Sequence, residues 1–119
     1  MANQNAKGFK RIINACFFSA AGFKATWTHE EAFRQEVILF LITTPLAIWL
    51  GKTNIEILLL IGSMVLVLLV ELLNSAVEAV VDRVGFDHHE LSGRAKDIGS
   101  AAVMLALSWA AVTWALILL

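Results

Sequence analysis

From Ile55 to Val84 the chain runs through Leu, Ile, Val and Met, and its few polar interruptions fall on one side. Glu71 and Glu78 are spaced by nearly two helical turns, so a helix over 55–84 turns both carboxylates to one face, with Asn74, Ser75 and Asp82 beside them. About 30 residues at 1.5 Å rise make such a helix longer than the ~30 Å hydrocarbon core. Its acidic half is therefore expected to emerge at the membrane edge.

The same reading predicts two further spans. Residues 30–50 form one, provided Ala32 to Glu36 are added to the charge-free run that starts at Val37, with Arg34 snorkelling to the interface and Pro45 kinking the helix. Residues 96–118 form the other, and from Ile98 onward it is the longest charge-free stretch in the chain. Thr28 to Glu31 (THEE) has the spacing of a capping box opening the first span. Gly51 to Asn54 (GKTN) reads as a short polar turn, and residues 85–93 (GFDHHELSG) as a loop with glycines at both ends. Residues 6–26 show an amphipathic pattern. Phe9, Ile12, Ile13, Cys16, Phe17, Ala20 and Phe23 recur on one face, while Lys7, Lys10, Arg11, Asn14 and Lys24 break it, as in a helix lying in the headgroup plane. Those charges leave no clean apolar centre for a signal peptide.

Composition agrees with a single integral membrane domain. Of 119 residues, 59% are hydrophobic and 16% charged, and the mean hydropathy is +0.76, outside the range of ordinary soluble domains. Cys16 is the only cysteine, so no internal disulfide exists. Lys7, Lys10, Arg11, Lys24 and Arg34 precede or begin the first span, Arg83, Arg94 and Lys96 lie between the second and third, and Lys52 alone lies opposite. The positive-inside rule then places the N-terminus in the cytoplasm and the C-terminus outside.

The polar residues thus gather at the cytoplasmic face. Two carboxylates in or near hydrocarbon are costly, each by about 2.5–3.5 kcal/mol on insertion scales, and suggest a site for a cation or a proton. Mg²⁺ is held by one or two carboxylates plus substrate phosphates, Arg11, Arg94 and Lys96 could bind those phosphates, and a further carboxylate could deprotonate an attacking hydroxyl. Phosphoryl transfer is one reading. A proton-coupled transporter is another, and it predicts carboxylates nearer mid-bilayer with little need for Lys96, Asp97 or the charged loop. Helix packing through polar side chains accounts for Asn74 and Ser75 more readily than for the paired glutamates. Gly99, Ser100, Ala101, Ala102 and Ala106 suit close packing of the third span. Walker A, kinase Gly-rich-loop and D-F-G motifs are missing. The adjacent His88 and His89 make a poor zinc pair, and the few juxtamembrane basic residues do not suit nucleic acid.

The segments Glu71 to Arg83 (ELLNSAVEAVVDR) and His89 to Asp97 (HELSGRAKD) resemble the prokaryotic diacylglycerol kinase family, as do Gly8 to Ile13 (GFKRII) and Glu31 to Glu36 (EAFRQE). The resemblance implies an all-α inner-membrane homotrimer of three-span protomers, each with an N-terminal surface helix and sites shared between neighbours. It implies MgATP-dependent phosphorylation of diacylglycerol to phosphatidic acid, with undecaprenol as the substrate of some members. By the same resemblance, Glu71 matches the general base and Asn74 the asparagine that supports it. Glu30 and Glu78 match the Mg²⁺ ligands. Arg11, Lys96, Asp97 and the loop Asp87, His88 and His89 match nucleotide or phosphate contacts, with Phe18 and His88 where family members carry tyrosine. Arg11, Glu71, Ser100 and three stretches match positions near lipid: Ala15, Cys16, Phe17, Phe18, Ser19 and Ala20; Ala32, Phe33, Arg34, Gln35 and Glu36; Trp49, Leu50, Gly51 and Lys52. Independently of the resemblance, Glu71 lies about two turns deeper than Glu78, and Glu78, nearer water, is better placed for a hydrated cation.

Overall fold

Helix boundaries in this chain follow from where backbone groups find partners. A computed structural model describes residues 5–119, and every regular element among them is helical: α1 (Gly8–His29), α2 (Glu31–Leu50), α3 (Asn54–Val84) and α4 (Glu90–Leu118). Only α2, α3 and α4 are long and apolar enough to cross a membrane. At 1.5 Å per residue α2 matches the hydrocarbon core, whereas α3 and α4 outrun it by several turns.

α1 does not stop at residue 26 but continues to His29, and Glu30 alone, in an extended conformation, separates it from α2. The expected capping box at Thr28 is therefore not formed. Thr28 sits inside α1, and its hydroxyl donates back to the Lys24 carbonyl at 2.8 Å. Arg34 reaches back to the end of α1. Its Nη1 donates to the carbonyls of Trp27 and Thr28 at 2.7 and 3.2 Å, satisfying the exposed carbonyl end of α1 with a positive charge, where the helix dipole favours one.

A threonine cap does form one connection later. Thr53 Oγ1 accepts from the Glu56 N–H at 3.1 Å, and Glu56 Oε1 accepts from the Lys52 N–H at 3.5 Å. The turn before it is tight enough that a Cβ on Gly51 would overlap Ile57 and press on the Ala47 carbonyl. α2 is continuous through Pro45, and the hydroxyls of Thr43 and Thr44 fold back on the Leu39 and Phe40 carbonyls just before it. α4 begins at Glu90, six residues before the expected start of the span at 96, because His89 Nδ1 accepts from the Leu91 N–H at 3.0 Å and caps it. The connection after α3 is thus 85–89 rather than 85–93.

α3 is the central element. It packs along α4 and α2, while α1 touches α2 and α3 more lightly. The core joins Met64 and Val67 of α3 to Ala106 and Ala110 of α4, with Phe40 of α2 and Trp114 of α4 against it. Alanines four apart let the α3 and α4 backbones approach closely. Trp114 Nε1 donates to Ser63 Oγ at 3.2 Å, and Ser63 in turn donates to the Leu60 carbonyl at 2.8 Å. Leu58, Leu105 and Leu116 face outward, which water would penalise and lipid does not.

Candidate active site

The polar face of α3 becomes a site because α1 crosses it. Gly22, Ala25 and Thr26 of α1, with His29 and Glu30 after them, form one wall of a cleft of about 500 Å³, and Ser75, Glu78 and Asp82 of α3 form the other. The single-residue break at Glu30 leaves its carboxylate opposite Glu78. Partial burial pushes the Glu30 carboxyl above its ordinary range, the charge of Glu78 adds to this, His29 opposes it, and Asp82 pushes it further up. Like charges held together in this way leave a cleft short of positive charge.

Glu71 lies deeper. It is 4% exposed and does not line that cleft, yet it repels both Glu30 and Glu78. Glu36 of α2, also buried, is repelled by Glu71. Around it Glu36 Oε2, Asn74 Oδ1 and Ser75 Oγ are buried without a hydrogen-bond partner. Each such group costs about 1–3 kcal/mol, so each calls for a partner or a role.

A second, smaller cleft of about 220 Å³ opens between the end of α3, the 85–89 connection and the start of α4. Asp87, His88, His89 and Lys96 line it, and Asp82 lines both clefts. Lys96 Nζ donates to Asp82 Oδ1 at 2.8 Å, across α3 and α4, both side chains being roughly half exposed. The lysine therefore stands where the two clefts meet.

The fold brings together Glu30, Glu71, Asn74, Glu78, Asp87, His88, His89 and Lys96. It does not bring Arg11, Ala15, Cys16, Phe17, Phe18 or Ala20 to either cleft; they lie exposed on the first part of α1. Ser19 faces a shallow depression beside Leu72. Asp97 and Ser100 are exposed on α4, and Ala32 and Gln35 on α2, where Phe33 and Glu36 are buried. Trp49, Leu50, Gly51 and Lys52 sit at the opposite end of the bundle, a full α2 length away. Two ionisable residues of the cleft were assigned no specific role from the sequence: Asp82, placed on the polar face one turn after Glu78, and His29, which precedes Glu30.

Among the described residues no three His, Cys, Asp or Glu side chains are gathered closely enough to hold a metal by themselves. Two opposed carboxylates with room for phosphates between them nonetheless suit Mg²⁺, which retains waters and takes few protein ligands.

A model of the prokaryotic diacylglycerol kinase family matches residues 17–118. A protein of Escherichia coli K12 named diacylglycerol kinase is 53% identical over 118 residues, covering 99% of this chain and 96% of that one. Proteins of the same name from Pseudomonas aeruginosa and Haemophilus influenzae are 52% and 51% identical, over 94% and 90% of this chain and 91% of each relative. The family match over most of the chain and relatives of this name at 51–53% identity show that the protein is a kinase, and that the chain belongs to the prokaryotic diacylglycerol kinase family.

Proposed function

We propose that this protein transfers the γ-phosphoryl group of ATP to the free hydroxyl of diacylglycerol, giving phosphatidic acid and ADP at the cytoplasmic edge of the bacterial inner membrane. The observation that carries this reading is the placement of Glu30, Glu78 and Lys96 around Asp82, with a buried carboxylate, Glu71, on the membrane side of them. That order matches an amphipathic substrate approaching from lipid and a polyanion approaching from water.

In this reading Glu71 accepts the proton of the lipid hydroxyl as its oxygen attacks the γ-phosphorus, and Asn74, one turn along, orients that carboxylate. Glu30 and Glu78 hold Mg²⁺, which when bound neutralises phosphate charge that the carboxylates would otherwise repel. Lys96 binds phosphate oxygens as a point charge, and Asp87, His88 and His89 border the nucleotide. Catalysis is then mostly positioning and electrostatics, as phosphoryl transfer requires.

Arg11, Phe18 and Asp97 reach no cleft of their own chain, so their nucleotide contacts are assigned to a neighbouring protomer of a homotrimer. The orphaned Thr113 hydroxyl inside a span supports a further helix contact there. The acyl chains lie along α2, from Ala32–Glu36 toward Trp49–Lys52, with Ser100 and the 15–20 stretch beside the glycerol end. α1 rests in the headgroup layer of the cytoplasmic leaflet, where its exposed Phe9, Ile12, Ile13 and Phe17 find apolar contact.

The test is phosphorylation by the purified protein in mixed micelles, with diacylglycerol and undecaprenol offered in parallel, with and without Mg²⁺, and with Glu78→Gln alongside. Metal-dependent phosphatidic acid, with a higher Mg²⁺ requirement in Glu78→Gln, is the expected outcome. Product on undecaprenol alone keeps the chemistry and changes the substrate. No transfer to either lipid from folded protein overturns the kinase reading and favours proton-coupled transport.

A further inference from the structure

The third span contains a glycine whose missing side chain is filled by another residue of the site. A Cβ built on Gly99 of α4 would overlap Asn74 Oδ1 and lie 3.0 Å from Asn74 Cγ. The Asn74 amide thus lies against the α4 backbone, in the space that any other residue at 99 would occupy. The contact is specific. Gly62 within α3 and Gly93 within α4 would meet nothing within 4 Å if given a Cβ, so a general need for small residues between helices does not account for it.

Asn74 Oδ1 is buried and has no hydrogen-bond partner. Steric confinement, not a hydrogen bond, therefore fixes that end of the amide, and the confining surface is Gly99. Glu71 is one turn earlier on the same face of α3, so displacement of the amide is felt at that carboxylate. Glycine is also among the poorest helix formers, and position 99 lies inside a continuous helix, where alanine would favour the local structure. Local helix preference and the demands of the site conflict at this residue.

We infer that Gly99 is a positioning residue for phosphoryl transfer: the absence of a side chain there seats Asn74 beside Glu71. This rests on the proposed reading of Glu71 and Asn74 as the groups acting on the lipid hydroxyl. The atoms in the way of a methyl at 99 belong to a rotatable side chain rather than to backbone. Gly99→Ala is therefore accommodated by turning Asn74 aside, and the helices need not separate. Gly99 lines neither the carboxylate cleft nor the Lys96 cleft, so MgATP binding is left alone.

The experiment measures kcat, KM for MgATP and thermal unfolding for wild type, Gly99→Ala, Asn74→Ser and the double variant in mixed micelles. Misplacing a catalytic group by about 1 Å costs on the order of 100-fold in rate. Gly99→Ala is expected to lose about that factor in kcat, with KM for MgATP within about twofold of wild type and an undiminished unfolding temperature. Adding Gly99→Ala to Asn74→Ser, whose shorter side chain leaves the space empty, is expected to cost less than about threefold, as coupled residues do. Full kcat in Gly99→Ala beside an impaired Asn74→Ser overturns the inference and leaves the functional reading standing. So does an equal loss in both backgrounds, or failure of both Gly99 variants to fold, since either makes Gly99 a helix-packing residue. Full activity in Asn74→Ser overturns the reading of Asn74 itself.

Discussion

Two substitutions at Glu71 test its proposed role as the base and separate its position from its proton affinity. Glu71→Gln keeps the shape and removes the base. General-base catalysis contributes about 10²–10⁴-fold, so kcat is expected to fall by that much, or about 2.7–5.4 kcal/mol. Glu71→Asp keeps the base and withdraws it by one carbon–carbon bond, about 1.5 Å. Because the residue is 4% exposed and α3 is held by helices on two sides, the backbone cannot advance to compensate. A loss on the order of 100-fold, about 2.7 kcal/mol, is expected. KM for MgATP should stay unchanged in both variants, because Glu71 lies outside the cleft that Glu30 and Glu78 line. Unfolding is not expected to explain the loss, since Glu71→Gln removes a buried charge repelled by Glu30 and Glu78. The assay is initial rate in mixed micelles over a grid of MgATP and diacylglycerol concentrations, with thermal unfolding of the same samples. A Glu71→Gln enzyme within tenfold of wild type would refute the assignment of the base. A preserved kcat with a raised KM for MgATP would make Glu71 a metal ligand instead.

Glu30 carries a carboxyl raised by burial and by Glu78 and Asp82, against the opposing His29. A raised folded-state value means the folded protein binds the proton more tightly than the unfolded chain, so this group's contribution declines as pH rises from the ordinary carboxylate range through the raised value. Glu30→Gln should then unfold at a higher temperature than wild type at neutral pH without metal. The difference should vanish in acid, and Mg²⁺ should stabilise the wild type more; thermal scans across pH with and without Mg²⁺ check all three. Arg34→Ala removes two charge-assisted bonds to the end of α1, a loss of about 1–2 kcal/mol after allowing for partial exposure, and should speed hydrogen exchange through Lys24–His29 more than elsewhere. Ser63→Ala leaves the Trp114 indole N–H without its acceptor. Hydrogen bonds between membrane helices are worth about 0.6 and at most ~1.7 kcal/mol, so a small drop in unfolding temperature with unaltered kcat is expected in the same assays.

The sequence contains the spacing Thr-x-x-Glu twice, at Thr28–Glu31 and Thr53–Glu56, and only the second caps a helix. The difference lies upstream. Gly51 and Lys52 have already ended α2 before Thr53 is reached, whereas no breaker stops α1 before Thr28, and the helix runs through it. A cap is thus decided by competition with the preceding helix, which the motif does not encode. The active site divides along the same line. Glu71, Asn74, Glu78 and Asp82 share one helix, so the 3.6-residue period places them on one face before any tertiary structure is considered. Glu30 opposite Glu78, Lys96 on Asp82 and Asn74 against Gly99 each join different segments, and their approach depends on where α1 and α4 cross α3. In the chain itself Gly99 reads as one small residue among several, because what distinguishes it is a neighbour on another helix. In a bundle this thin, the polar face of α3 takes its partners from the helix crossings. Residues whose role is to make room at a crossing are therefore the ones that local pattern passes over, even when they sit beside the chemistry.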